Sequence, residues 1–225
     1  MNDAFPLRTP RLILTPPTDQ DIDAIFRIHA DARTYQHRPD LAMKNRKEAE
    51  ELARTWQENW DEQGLGYYVV STIDGTTIGF TGVRHSEEAG EQVLNLYYRF
   101  APESQGQGYA KEAAPAAIAN AQERFPQLPI IAIIDPTNEA SIGLALRLGL
   151  HHVHGAGVPN DYEVYRLSWI LGSTRRGSRY ELLCIRPVCL FVVWVHKKEC
   201  GGYHHPHNGS NGTHHTQENE VIGRR

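Results

Sequence analysis

The sequence predicts a mixed α/β sheet, with its elements in the order β-α-α-β-β-β-α-β-α-β-β. Two observations carry that prediction. Three β-like segments between residues 66 and 100 are separated only by short polar turns, the pattern of an antiparallel meander. The period then lengthens to that of a helix over "GYAKEAAPAAIANAQERF" (108–125), and the unbroken apolar run "PIIAII" (129–134) follows, as expected of a strand buried on both faces. A strand, a crossing helix and a second strand make a parallel pair. Meander plus crossover gives a mixed sheet rather than a doubly wound parallel one.

The elements follow in order. A short β-like run, Leu12 to Leu14, is closed by Pro16 and Pro17. Thr18 with Asp21 three residues on has the form of a capping box, and Ile22, Ile25, Phe26 and His29 then share one helical face. A second helix is predicted over Arg46 to Asp61, with Leu52, Trp56 and Trp60 spaced by four as a core stripe. "GYYVVSTI" runs to the turn Asp74-Gly75, "TTIGFTGVRH" returns, and "EQVLNLYYRF" (91–100) is the third strand after a polar turn. Pro115 is the weak point of the helix that follows. "NEASIGLALRLGL" (138–150) reads as a short helix stopping at Gly149. "HHVHGAG" and "DYEVYRLSW" supply two more strands, ending near Trp169.

Composition divides the chain. All three cysteines, Cys184, Cys189 and Cys200, and six of the twelve histidines lie after residue 170. Residues 171–225 hold 8 of the 23 basic and 4 of the 27 acidic residues, leaving the first 170 with 15 and 23, a net charge near −8. No sustained period is read after Trp169. Residues 171–225 are expected to be a low-order tail of vector-derived or out-of-frame origin, and residues 1–170 the one domain. An acidic body argues against a nucleic-acid partner. A cysteine-free body excludes a thiol nucleophile and a thiolate zinc site there. No run approaches the roughly 18 apolar residues of a membrane span, and no leader segment is read, so a cytoplasmic protein without a membrane partner is expected.

The stretch "SQGQGYAKEAA" (104–114) joins the third strand to the long helix. A helix N-terminus attracts anions, and Gly106 and Gly108 allow close approach of backbone to a phosphate. A Walker A loop fails because Lys111 follows Ala110, and a dinucleotide G-x-G-x-x-G fails because its last position is Lys111. A plain strand-to-helix turn is the other reading of these glycines.

Gln105-Gly106-Gln107-Gly108-Tyr109-Ala110 matches Q/R-x-x-G-x-G/A, and so resembles the acetyl-CoA pyrophosphate loop of the GNAT superfamily of N-acetyltransferases. "NEASIGLALRLGL" and the opening "LRTPRLILTPPTDQD" are similar to segments of the branch of ribosomal-protein alanine and serine acetyltransferases. The resemblance spans about residues 5–170. It implies a GNAT-like acyl-CoA acyltransferase fold in which Leu96–Phe100 splays from Ile130–Ile134. Backbone groups of Tyr98, Arg99 and Phe100 would then pair with the pantetheine arm, and residues 105–110 would hold the pyrophosphate. It further implies that Asn138 bonds the cofactor and Ser141 lies near the thioester sulfur. On their own, Asn138 is equally a helix N-cap and Ser141 its N3 partner.

The implied activity is transfer of an acetyl group from acetyl-CoA to a primary amine, a protein N-terminus or a small molecule, by direct attack in a ternary complex. The acidic body suits a cationic acceptor, walled by the helices between Asp19 and Asp61. Two positions depart from the family pattern. Asn95 stands where many relatives carry Glu, and Ala145 where many carry Tyr. Ser141 and Asn95 are therefore the catalytic candidates; the base is unassigned, with His85, Glu87 and Glu163 as candidates. These departures raise a second possibility, a CoA-binding module with weak or no catalysis. His151, His152 and His154 lack an apparent carboxylate partner, and no metal is expected there. Cys184, Cys189, Cys200, His204, His205 and His207 fit no zinc-finger spacing, and Asn208 and Asn211 begin glycosylation sequons irrelevant in the cytosol. The oligomeric state, monomer or homodimer, is open.

Overall fold

A computed structural model describes residues 6–154 and 162–167 with their side chains, and the backbone of 171–176, 179–185 and 190–193. The chain opens on a hairpin, β1 (Leu7–Arg8) and β2 (Leu12–Thr15), of which the sequence displays only the second strand. Asp21 accepts the Thr18 N–H (2.8 Å), as a capping box requires, before α1 (Ile22–His29). Asn45 caps α2 (Arg46–Gln63) by accepting the Glu48 N–H. The meander follows as β3 (Tyr67–Thr72), β4 (Thr77–Glu88) and β5 (Glu91–Phe100). Next come α3 (Tyr109–Arg124), β6 (Ile130–Ile134), α4 (Glu139–Arg147), β7 (Leu150–Val153) and β8 (Glu163–Leu167).

These strands form one eight-stranded sheet in the order β1-β2-β3-β4-β5-β6-β8-β7. All neighbours are antiparallel except β5 and β6, which α3 joins as a parallel pair. The mixed sheet expected from the sequence is borne out. Where no period is read in the sequence, the backbone makes a separate antiparallel sheet from β9 (Leu171–Arg176), β10 (Arg179–Ile185) and β11 (Leu190–Val193).

The long sheet has a core on each face. On one, Ala113, Ala114, Ala117 and Ala121 of α3 bury their small side chains and let the helix lie close over the strands. That packing carries α3 unbroken through Pro115, although a proline inside a helix removes a hydrogen bond and costs about 3 kcal/mol. On the other, Ile25 and Ile28 of α1 and Trp56 of α2 pack against Tyr67, Phe80 and Tyr97. The pleat of β5 feeds both: Leu96, Tyr98 and Phe100 belong with α3, Tyr97 with α1 and α2.

One irregularity positions the site. β5 pairs with β4 over its whole length, but with β6 only at Leu94↔Ile130 and Asn95↔Ile131. Beyond Asn95 the strands part, and residues 96–100 present an edge with no strand beside it.

Candidate active site

Two adjoining cavities fill the space where β5 and β6 diverge. The smaller, of about 190 Å³, lies between the strands and the segment linking α1 to α2; the larger, of about 470 Å³, runs on to the start of α3. Six residues line both: Thr34, His37, Tyr98, Arg99, Asn138 and Ser141. Four of these are positions that the family resemblance singles out, so the structure brings them together.

The floor is built across the divergence. Tyr98 on β5 donates its hydroxyl to the Ser141 carbonyl on α4 (3.0 Å), and burial pushes its pKa up to about 12 against that bond. Asn138 caps α4 by accepting the Ser141 N–H at 3.0 Å. Its Oδ1 is therefore occupied, while its amide nitrogen and the Ser141 hydroxyl have no partner among the described residues. The cap leaves both of these polar groups available to the cavities that the two residues line.

The glycine loop closes the larger cavity. Gly106 and Gly108 adopt φ of 74° and 79°, the left-handed region, and a Cβ at Gly106 would point into open space. Gln105 donates to the Phe100 carbonyl (3.1 Å), fixing the loop to the end of β5. The first N–H groups of α3, from Tyr109, have no acceptor within the helix.

The loop is held from the far end of the chain. Arg11 on the β1–β2 hairpin donates Nε to Glu112 (2.6 Å) and Nη1 to the Gln107 carbonyl (3.1 Å), and its guanidinium lies 4.6 Å from the Tyr109 ring centroid. Thr9 Oγ1 and the Arg11 N–H also donate to Glu112. Burial raises the Glu112 pKa, but these donors outweigh it and hold the carboxyl below its usual range. Thr9 and Arg11, from the opening that the family resemblance picks out, are thus the clamp on the loop.

The charge of the larger cavity is the reverse of the chain's net −4. Arg33, Arg99, Lys111 and Arg147 line it, with no carboxylate among the described lining residues. Arg33 is paired to Asp31 and Glu103, whereas Lys111 and Arg147 make no ion pair with a described residue. Lys111 sits in the first turn of α3, where a cation opposes the helix dipole. An open strand edge, a glycine loop at a helix N-terminus and the unpaired Lys111 and Arg147 can together take a nucleotide pyrophosphate with an extended arm.

Other sequence candidates lie elsewhere. Asn95 sits at the apex of the divergence, its Oδ1 buried without a partner, but it lines neither cavity. His85 packs edge-on against Phe125 (4.6 Å), and burial lowers its pKa. Glu87 accepts from Gln92, and Glu163 from the Tyr165 hydroxyl (2.7 Å). None of the three lines the cleft. Glu163 does supply the carboxylate not apparent in the sequence, 3.9 Å from His152, whose ring is 4.3 Å from that of His154. No metal-competent group of three such side chains occurs among the described residues. The cysteines, His204, His205, His207, Asn208 and Asn211 lie outside the described side chains.

Sequence reading misses His37, Thr34 and Tyr35, which the α1–α2 link delivers to the cavities. Their only local signal is a polar, aromatic segment between two helices.

The model of the acetyltransferase (GNAT) domain family matches residues 11–151. The uncharacterized N-acetyltransferase YoaA of Bacillus subtilis is 26% identical over 172 residues, 72% of this chain and 97% of that protein. An acetyltransferase of Agrobacterium tumefaciens superposes with a TM-score of 0.63 at 26% identity, over 72% of this chain and 94% of its own. The ribosomal-protein-S5-alanine acetyltransferase of Vibrio fischeri shares the fold, with a TM-score of 0.56 at 16% identity over 72% and 94%. No helix among the described residues is long and apolar enough to cross a membrane.

Proposed function

The chain belongs to the acetyltransferase (GNAT) family, and from that premise we propose that residues 1–170 are an N-acetyltransferase that moves an acetyl group from acetyl-CoA to a primary amine. The observation that carries this is the divergence of β5 from β6 onto a cationic cleft ending at Gly106 and Gly108.

The free edge of residues 96–100 pairs with the amides of the pantetheine arm as an added strand would. The loop N–H groups, with Lys111 and Arg147, hold the pyrophosphate. Bound acetyl-CoA supplies an activated acyl thioester; everything else falls to the chain. The body has no cysteine to carry the acetyl group, which supports direct attack by the amine. His37, which lines both cavities, takes the amine proton, directly or through water. Ser141, its hydroxyl otherwise unbonded, passes its proton to the departing sulfur and regains one from solvent, to which His37 releases the amine proton, so CoA leaves as the thiol. The amine enters between the α1–α2 link and Tyr162.

One observation favours the second reading, a CoA-binding module with little catalysis. Asp135 is the one carboxylate among the described residues lining either cavity; it lines only the smaller, and its Oδ1 accepts both the Thr137 N–H (2.8 Å) and hydroxyl (2.6 Å). The two readings separate in an assay of acetyl-CoA consumption over amines and N-terminal peptides. Turnover on any of them supports the transferase; CoA binding without turnover supports the module. Calorimetry with Gly108→Glu tests the loop. The substitution puts a side chain at φ 79° and an anion against the phosphates, and CoA affinity is expected to fall at least 100-fold.

A further inference from the structure

We propose that the acceptor is an amine that also bears a carboxylate, and that the Arg99 guanidinium holds that carboxylate; this rests on the acetyltransferase reading above. Arg99 is a cation without a counter-charge at the junction of the two cavities. Its Nε donates to the Tyr97 hydroxyl (3.0 Å), and its Nη1 to the Thr34 carbonyl (2.9 Å) and hydroxyl (3.2 Å). Every one of these acceptors is neutral. The Tyr35 ring stacks 3.5 Å from Cζ. Among the described residues no carboxylate comes within ion-pair distance, and Nη2 has no acceptor. Arg27, Arg84 and Arg124 also bond only neutral acceptors among the described residues, but none of them lines either cavity, whereas Arg99 lines both.

Three hydrogen bonds and a ring fix the guanidinium plane before any ligand arrives, so little ordering remains to be done on binding. A half-buried guanidinium with unbonded N–H groups is a strong carboxylate receptor, because each charge-assisted bond forms in partly desolvated surroundings. Asp135, the carboxylate of the smaller cavity, accepts both Thr137 donors at Oδ1, and the cations whose charge acts on it are His37 and Arg38, not Arg99.

The donor is not the source of this anion. Arg99 shares its face of β5 with Tyr97, on the side of α1 and α2, whereas the glycine loop begins α3 on the other side. Lys111 and Arg147 already serve the loop end. Carboxylate chemistry has two sources: the α-carboxylate of an amino-acid-like small molecule, or an acidic side chain beside a protein N-terminus.

The test is calorimetric titration of the full chain saturated with CoA. The probes are free α-amino acids, their carboxamides, and C-terminally amidated peptides opening on Asp or Glu against those opening on Asn or Gln. One carboxylate set is expected to bind roughly 10- to 100-fold more tightly than its neutral match, and which set does so names the source. The preference should vanish in Arg99→Gln and survive in part in Arg99→Lys, with thermal melts confirming that both fold. The pantetheine arm is assigned to the backbone edge of residue 99, which both variants keep, so CoA affinity should change less than threefold. Equal binding of both matched pairs by the unaltered protein overturns the proposal without any variant. So does a preference that outlasts Arg99→Gln, or a tenfold loss of CoA affinity in that variant, which would assign Arg99 to the donor. The transferase reading fails separately: a carboxylate preference with no acetyl-CoA consumption on any probe removes the transferase and keeps the Arg99 site.

Discussion

Lowering the pH from 7 to 4.5 charges His29 in the unfolded chain while the folded protein keeps it neutral, and the difference costs stability. His29 closes α1 and is 2% exposed. Its ring centroid lies 5.8 Å from that of Trp56 and 5.4 Å from that of Phe80. Nδ1 faces the Ile25 carbonyl (2.9 Å), which can only accept, so the proton is on Nδ1 and Nε2 accepts from the Tyr97 hydroxyl (2.8 Å). Burial first, and the charge of Arg99 second, lower the pKa from 6.5 to about 4, against the bond to Ile25. The folded value lies below the unfolded one, so the unfolded chain binds more protons between them and stability rises with pH. The contribution is fully present above about pH 6.5 and is lost as the pH falls through 4. At about 1.4 kcal/mol per pH unit the whole effect is about 3 kcal/mol, of which about 2 is gone by pH 4.5. Urea titrations at pH 7, 6, 5 and 4.5 on the native sequence and His29→Gln measure it, since glutamine takes no proton. Exposed carboxylates titrate in both proteins and cancel. The native chain should lose about 2 kcal/mol more than the variant over that range. Curves for the two proteins that stay parallel from pH 7 to 4.5 refute the reasoning.

Three further outcomes follow from the same contacts. Arg11→Ala leaves Glu112 with Thr9 and a backbone N–H, so the loop loosens; CoA affinity by calorimetry should fall about tenfold and the melting temperature by a few degrees, and an unchanged affinity would detach the hairpin from the loop. Ser141→Ala keeps the backbone N–H that Asn138 caps, so stability and CoA affinity hold while kcat drops about 100-fold on any accepted amine; equal kcat would release Ser141 from its proton-donor role. A chain ended after residue 170 should bind CoA as the full chain does, and a loss of binding beyond tenfold would show that the tail belongs to the working protein.

What the sequence made legible was local. Gly106 and Gly108 could be read as a cradle because the loop and the helix they open are contiguous, and Asn138 as a cap because its partner is three residues away. Long-range contacts were not legible. Glu112 looks like an ordinary first-turn acid until Thr9 and Arg11, about a hundred residues earlier, close on it. Arg99 and Thr34 meet across 65 residues. Residue type proposed His85 as a base, but its position depends on register: it pairs with Leu94, whose pleat faces α3, and so it meets Phe125 rather than the cleft. Pro115 is a weak point of α3 by sequence, and the alanine face of the helix offsets it by packing.

Net charge and local charge pull in opposite directions here, and the difference bears on the acceptor. A balance near −8 over the first 170 residues suggests attraction of a cationic partner over distance. Much of that acid is spent in surface pairs, such as Asp31 with Arg33, Asp40 with Arg38 and Glu91 with Arg166, which are worth little to stability and are screened by salt. Inside the cleft the balance inverts, because β5 turns Arg99 toward the α1–α2 link while its free edge stays open along the larger cavity. One five-residue segment, 96–100, thus sets out three surfaces: a core face, a backbone edge and a guanidinium. Electrostatics beyond about a Debye length can gather amines of many kinds, but only contacts in the cleft discriminate among them. The amine is common to all candidate acceptors, so selection has to act on what else the molecule carries, and the group that this cleft is charged to receive is an anion.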